Sequence, residues 1–219
     1  MAFDGIIFDF DGTLIDSSAG ILAGFRGAFD AVGMEVKHPI TEHIIGPPLM
    51  ETLALLAGTD DAAVLRPLAD AFMVYYDTEG YRSTTLFPGV ESLLARLAAL
   101  QIPLFIATNK RAVPTRRIVD HLGLAQYFAA VYALDSFSPK LANKSQLLAR
   151  IALAHHLPAA ATLYVGDCRE DEVAASNNGM PFAMALWGYH VEAAENMPAH
   201  WQLLTSPEAL WLPELVKRH

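Results

Sequence analysis

Two aspartates lie one residue apart near the start of the chain, where their spacing could serve a common ligand. Asp9 and Asp11 follow the apolar run GIIF, and Gly12 and Thr13 come directly after them. Residues two apart on a strand point to the same face, so both carboxylates can aim at one point if strand geometry persists. Gly12 then frees the backbone to turn. Because two close carboxylates repel each other unless a cation is near, the pair predicts a bound cation.

Later apolar runs are followed by further polar residues of types that could bind a metal or an anion. They are Thr108 with Asn109, then a lysine that is either Lys144 or Lys140, and then Asp167 with Asp171. Asp167 would add a third carboxylate, and a ligand set made only of oxygen atoms suits Mg²⁺ rather than zinc. The hydroxyl and the lysine could bind an anion beside the metal.

The elements that must position these residues alternate between strand and helix. The predicted strands are Gly5–Phe10, Pro103–Thr108, Ala129–Leu134, Thr162–Gly166 and Pro181–Leu186, and the predicted helices between them are Val90–Leu100, Thr115–Leu122, Ser145–His155 and Asp171–Asn178. This rhythm indicates the α/β class, with a Rossmann-like parallel sheet as the core. In such sheets ligands bind at the carboxyl ends of the strands, where the polar residues lie.

The stretch from about residue 16 to 85 breaks the rhythm and predicts an inserted α-helical cap. It contains helical patterns at about Ser18–Val32, Met50–Ala57 and Ala62–Tyr76, with no convincing strand between them. It is also acidic, with ten Asp or Glu residues against four Lys or Arg. The predicted domains are therefore a core of residues 1–15 and 86–219 and a cap of residues 16–85.

The overall composition excludes several functional classes. The 219 residues are 53% hydrophobic with a net charge of -9, which argues against nucleic acid and anionic membranes as partners. Apolar runs fall short of a membrane span, and no secretory signal pattern opens the chain. A single cysteine, Cys168, fits a reducing compartment. We therefore expect a cytoplasmic protein, either a monomer or a homodimer.

The four motifs, in this order, resemble the haloacid dehalogenase superfamily in its phosphatase branch. The motifs are DFDGT at 9–13, TN at 108–109, Lys144, and GDCREDE around Asp167 and Asp171, and the resemblance spans about residues 4 to 190. The segments IGPPLMETL at 45–53 and ATNK at 107–110 are similar to those of phosphoglycolate-phosphatase-like members. The resemblance implies a Mg²⁺-dependent phosphatase that acts on a small phosphomonoester.

The resemblance also implies a role for each motif residue. Asp9 would attack phosphorus to form an aspartyl-phosphate, while Asp11 would act as acid and then as base. The metal would be held by Asp9, the Asp11 carbonyl and Asp167. The phosphoryl group would be bound by Thr108, Lys144, the Asn109 backbone and Gly12, and Asp171 would orient the lysine or support the metal ligands.

Two points of function stay open in the sequence. Many phosphoglycolate phosphatases have Lys-Pro at the third motif, whereas this chain has SPKLANKSQLL, which favours Lys144 over Lys140 but leaves the substrate undefined. A phosphosugar mutase uses the same residues, and a non-catalytic binding protein on the same fold is a weaker alternative.

Overall fold

The computed structural model describes residues 3–189, 197–198 and 201–210. The strands are β1 Gly5–Phe8, β2 Ile15–Asp16, β3 Thr85–Leu86, β4 Leu104–Thr108, β5 Ala130–Ala133, β6 Thr162–Gly166, β7 Phe182–Ala185 and β8 Gln202–Leu204. The α-helices are α1 Ser18–Val32, α2 Leu49–Ala57, α3 Ala62–Thr78, α4 Val90–Ala99, α5 Ala112–His121, α6 Lys144–Ala154 and α7 Arg169–Asn177.

Six of these strands form one sheet in the order β5-β4-β1-β6-β7-β8, and every neighbouring pair is parallel. The α/β class and the Rossmann-like core predicted from the sequence are confirmed. Strand β8 was not predicted, because three residues are too few to show a pattern. Strands β1 and β6 lie at the centre, so the polar residues that follow them meet at one edge of the sheet.

Alternate side chains of the central strand enter two different cores, as expected of a strand buried on both faces. Ile6 and Phe8 pack with apolar residues of α4 and α5 on one face. Ile7 packs on the other face with residues of α6 and α7. Helix α5 begins at Ala112 rather than at the predicted Thr115, because Pro114 is tolerated in the first turn of a helix.

The chain between β1 and β4 contains helices α1, α2 and α3, which pack around an apolar core of their own. Residues 16–85 are called the helical segment below. A glycine lets two of the helices approach closely, since a Cβ on Gly24 of α1 would lie 2.9 Å from the Phe72 ring of α3. At the base of this helical segment β2 and β3 pair antiparallel, with Asp16 opposite Thr85. The expectation of a strand-free segment from 16 to 85 is therefore wrong at its ends, where two-residue strands have no detectable periodicity.

None of the helices in residues 3–189 and 201–210 is both long enough and apolar enough to cross a lipid bilayer.

Candidate active site

The sequence-predicted residues converge at the carboxyl edge of the sheet. Asp9 comes directly after β1, and its backbone N–H continues the sheet by donating to the Val165 carbonyl at 2.8 Å. Thr108 is the last residue of β4, Asp167 follows β6, and Lys144 is the first residue of α6. Parallel strands bring these positions to one edge although they are up to 158 residues apart in sequence.

Lys144 lies at the centre of this group. Its ammonium Nζ is 2.8 Å from Asp9 Oδ1 and 2.6 Å from Asp171 Oδ1, and the residue is only 3% exposed. Burial by itself would lower the pKa of Lys144, but the charges of Asp171 and Asp9 outweigh it and raise that pKa well above its usual value. Lys140 is exposed in the preceding loop. The geometry thus favours Lys144 as the lysine of the site.

Asp171 has no exposed surface and accepts hydrogen bonds from several donors. Besides Lys144, the Tyr164 hydroxyl donates to Oδ1 at 2.9 Å, and the backbone N–H of Asp167 donates to Oδ2 at 3.2 Å. The Cys168 N–H also donates to Oδ2, at 3.3 Å. Asp171 therefore contacts the lysine and the start of α7, and its supporting role in the reaction stays a prediction.

Asp11 has a different set of partners from Asp9. Its Oδ1 accepts a hydrogen bond from Ser17 Oγ and lies 2.8 Å from the ammonium of Lys110. That ammonium also donates to the Tyr76 hydroxyl of α3 at 3.1 Å. Strand β1 ends at Phe8, before either aspartate, so the two carboxylates do not lie on one regular strand as the sequence suggested. Asp9 contacts Lys144, whereas Asp11 contacts Lys110.

Gly12 allows the loop after β1 to approach Asp167. Its φ is +84°, in the region that favours glycine, and a Cβ there would overlap the Asp167 carboxylate. Asp167 Oδ2, the oxygen nearest that Cβ position, accepts a hydrogen bond from the Tyr189 backbone N–H at 2.9 Å. Close packing against Asp167 is the contact that the structure provides for Gly12, whereas its phosphate-binding role stays a prediction.

The carboxylates clustered around Asp9 would be stabilised by a bound cation. Burial, the largest effect, raises the pKa of Asp9 well above its usual value; Lys144 opposes this, and the charges of Asp171 and Asp167 raise the pKa further. The Lys144 ammonium contacts two of these carboxylates, those of Asp9 and Asp171. A divalent ion beside Asp9 and Asp167 would add positive charge next to the buried Asp9 carboxylate.

The chemistry of the possible metal ligands indicates which residues could hold such an ion. Within the described ranges Asp167, Cys168 and Asp171 bring potential ligand atoms close together. Burial raises the pKa of the Cys168 thiol, which stays protonated and is a poor ligand for a hard cation. Both oxygens of Asp171 already accept hydrogen bonds. Asp9, the Asp11 backbone carbonyl and Asp167 offer only oxygen atoms, and they stay the predicted ligands of Mg²⁺.

Three consecutive residues after β4 connect the edge of the sheet to the helical segment. The Asn109 amide donates to the Gly46 carbonyl at 3.2 Å. Lys110 reaches Tyr76, and the Arg111 guanidinium donates two hydrogen bonds to the Asp77 carboxylate, one of them 3.1 Å long. Thr108 is buried, and its Oγ1 accepts from the Lys110 N–H at 3.0 Å.

Sequence reasoning missed the site residues that contact the helical segment. Lys110 lies in the ATNK segment, which was noted only for its resemblance to other sequences. Tyr76 of α3 packs in the apolar core of the helical segment, and its hydroxyl also accepts a hydrogen bond from Lys110. The lysine's position directly after Thr108 and Asn109 was a signal that could have identified it.

Comparisons with known proteins identify a family and several relatives of this chain. The model of the family described as haloacid dehalogenase-like hydrolase matches residues 6–185. A tyrosine-protein kinase, PtkA of Mycobacterium tuberculosis, is 33% identical over 84% of this chain, which spans only 62% of that relative's length. A phosphoglycolate phosphatase of Xanthomonas campestris is 31% identical, with 95% of each chain covered. A solved haloacid dehalogenase-like family hydrolase of Streptococcus pneumoniae has a TM-score of 0.82 at 26% identity, with 95% of this chain and 96% of the other covered.

Proposed function

This chain belongs to the haloacid dehalogenase-like hydrolase family, and we propose that it is a Mg²⁺-dependent phosphatase acting on a small-molecule phosphomonoester. The observation that supports this most directly is the placement of Asp9 at the carboxyl end of β1, 2.8 Å from the Lys144 ammonium. The same buried group contains Asp167, which supplies a further carboxylate for a metal. An oxygen nucleophile, a cation and a metal-binding acid are what phosphoryl transfer requires.

The reaction divides into two displacements at phosphorus. In the first, an oxygen of Asp9 forms a bond to phosphorus while the bond to the leaving oxygen breaks, and Asp11 gives that oxygen a proton. In the second, water attacks the aspartyl-phosphate while Asp11 takes its proton, and the P–O bond to Asp9 breaks to release phosphate. Ser17 and Lys110 hold the Asp11 side chain in position for both proton transfers.

Fixed positive charge and hydrogen-bond donors stabilise the transferring group. Lys144 opposes the effect of burial on the pKa of Asp9 and can donate to phosphoryl oxygens. The Thr108 hydroxyl at the end of β4 and the Asn109 N–H directly after it lie at the same edge of the sheet. Mg²⁺, when held by Asp9, the Asp11 carbonyl and Asp167, would supply further positive charge beside the phosphoryl oxygens. Asp171 fixes the lysine through the 2.6 Å contact.

The relatives support a phosphatase without defining its substrate. The Xanthomonas relative that is named a phosphoglycolate phosphatase is matched over nearly its whole length. The relative named a tyrosine-protein kinase is considerably longer than this chain. We also propose residues 16–85 as the cap that closes over the ester, with a cytoplasmic location and a monomeric or homodimeric state.

Hydrolysis of p-nitrophenyl phosphate tests the proposal. We expect turnover with Mg²⁺, its loss on adding EDTA, and its abolition by Asp9→Asn, with folding checked by circular dichroism. Failure to hydrolyse any ester in a broad panel would refute the phosphatase. Conversion of a hexose 1-phosphate to its 6-phosphate would instead favour the phosphosugar mutase.

A further inference from the structure

Gly188 and Tyr189 follow β7 and lie against the loop that follows β1. Gly188 packs so closely that a Cβ there would overlap both the Gly12 carbonyl oxygen and the Asp167 side chain. The Tyr189 backbone N–H donates a hydrogen bond to Asp167 Oδ2 at 2.9 Å. These contacts hold the Tyr189 backbone beside a predicted metal ligand.

The Tyr189 side chain extends from there to the start of the helical segment. Its hydroxyl oxygen accepts a hydrogen bond from the Ser17 backbone N–H at 2.7 Å, and the hydroxyl donates to Asp16 Oδ1 at 2.9 Å. Burial, which is the largest effect, and the charges of Asp11 and Asp16 raise the pKa of Tyr189, so the phenol keeps its proton at neutral pH. The phenol is therefore both a donor and an acceptor within the protein.

Ser17, the residue before α1, connects this phenol to the acid of the proposed reaction. It has no exposed surface, and its Oγ donates a hydrogen bond to Asp11 Oδ1. One residue thus contacts Tyr189 through its backbone N–H and Asp11 through its side chain. The position of the Ser17 hydroxyl on Asp11 depends on the Ser17 backbone, which the phenol oxygen contacts.

Loss of the phenol oxygen would leave the Ser17 N–H buried without this acceptor. Because a buried N–H without a partner is unfavourable, the backbone would shift toward another acceptor or water. The Ser17 hydroxyl would move with it and lose its position on Asp11. A small displacement of Asp11 is sufficient to slow the reaction, since proton transfer requires hydrogen-bond distance to the reacting oxygen.

We propose that Tyr189 is a positioning residue that holds Ser17 so that Asp11 is placed to give its proton to the leaving oxygen. This inference rests on the proposed function, because it concerns the proton transfer of the phosphatase reaction. The variant Tyr189→Phe tests the phenol alone, since it removes the hydroxyl and keeps the backbone N–H that contacts Asp167.

Two esters of similar size isolate the proton transfer to the leaving oxygen. p-Nitrophenyl phosphate releases a stabilised phenolate that needs no proton, whereas p-nitrobenzyl phosphate releases an alcohol whose oxygen must be protonated. Since kcat/KM reports the steps up to release of this group, it contains the proton transfer but not the hydrolysis of the aspartyl-phosphate. In Tyr189→Phe we expect kcat/KM to fall about tenfold more for the benzyl ester than for the phenyl ester. An equal fall for both esters, or no fall for either, would overturn the inference.

A double-variant comparison tests whether Tyr189 acts through Ser17. Ser17→Ala removes the hydroxyl that contacts Asp11 and should also impair the benzyl ester more than the phenyl ester. Lys110 still contacts Asp11 in these variants, so part of the acid catalysis should remain. The double variant should fall no further than the lower single variant, because both changes remove the same placement of Asp11. A loss equal to the product of the two single losses would contradict the proposal.

Tyr132→Phe is the matched control for the loss of a tyrosine hydroxyl. Tyr132 lies in the edge strand β5, two strands away from β1, and its hydroxyl is 3.0 Å from His155 Nε2. This variant should leave the ratio of the two kcat/KM values unchanged within about twofold. A change of ratio as large as that in Tyr189→Phe would count against a specific role of Tyr189.

NMR measurements without substrate keep this inference separate from the phosphatase proposal. In the wild-type protein the Ser17 amide should exchange slowly with solvent, and rapid exchange there would overturn the inference whether or not the variant folds. Tyr189→Phe should accelerate that exchange by about tenfold or more and shift the Asp11 carboxyl carbon signal, with neither change in Tyr132→Phe.

The two sets of results distinguish the possible failures. The expected NMR changes without turnover of any ester by the wild-type protein would refute the phosphatase and support the link from Tyr189 to Asp11. Turnover by the wild-type protein with neither NMR change and equal losses for the two esters would do the reverse. Absence of both turnover and the NMR changes would overturn both.

Discussion

Replacing Lys144 with Met tests the electrostatic account of the site. The change keeps a long apolar chain but removes the ammonium that lies 2.8 Å from Asp9 and 2.6 Å from Asp171. The buried carboxylates of Asp9 and Asp171 would then lose the cation that contacts them both. Breaking a buried ion pair by removing one partner costs about 3–5 kcal/mol of the free energy of unfolding. For a chain of this size, each kcal/mol corresponds to a fall in Tm of about 2–4 °C.

Urea and thermal unfolding in EDTA at pH 7 measure this loss, with Lys140→Met as the matched control. Lys140 is exposed in the loop before α6, and its replacement should change stability by less than about 0.5 kcal/mol. Activity on p-nitrophenyl phosphate should fall by about 10² or more in Lys144→Met, as when a transition-state donor is removed, and persist in Lys140→Met. A loss below about 1 kcal/mol in Lys144→Met, or loss of activity only in Lys140→Met, would refute the reasoning.

Three further predictions concern the connection to the helical segment, the close approach at Asp167, and pH. Asp77→Asn and Arg111→Gln should each raise KM about threefold to tenfold, and the double variant no further, since one partly buried ion pair is lost in all three; additive effects in steady-state kinetics would contradict this. Gly12→Ala should weaken Mg²⁺ binding in calorimetry and destabilise the protein by about 1–3 kcal/mol, because the methyl group overlaps Asp167 and φ is +84°; unchanged affinity would argue against the assigned metal ligands. The pKa of Asp9 is raised in the folded state, so the metal-free protein binds more protons when folded than when unfolded. Protonation of Asp9 therefore stabilises the folded protein fully below about pH 4, and this stabilisation is lost as pH rises through the raised pKa. Saturating Mg²⁺ should remove that decline in Tm, and a decline unchanged by Mg²⁺ would exclude the metal from Asp9.

Local patterns in the sequence predicted most of the fold. Strand Thr162–Gly166 and helix Ser18–Val32 have the predicted bounds, because a continuous apolar run and a 3.6-residue repeat are properties of neighbouring residues. The pairing of β2 with β3 was not predictable in this way. Two residues carry no periodicity, and their partners lie about seventy residues apart.

The sequence predicted the placement of some residues of the candidate site but not all of the contacts between them. The placement of Asp9, Lys144 and Asp171 follows the expectation, since each lies at a strand end or helix start that the pattern already marks. The pairing of Asp11 with Lys110 was missed, because it depends on where β1 ends and on how α3 approaches the loop after β4.

The sequence by itself predicted the class of chemistry and the edge of the sheet at which the candidate residues meet. Residue types and their order are sufficient for this, because parallel strands must bring their carboxyl ends together. Only the tertiary structure decided which lysine contacts Asp9 and which contacts Asp11. These contacts join residues 135 and 99 positions apart, respectively. The positions of α6 and of the loop after β4 relative to the end of β1 set these distances, and no local pattern records them.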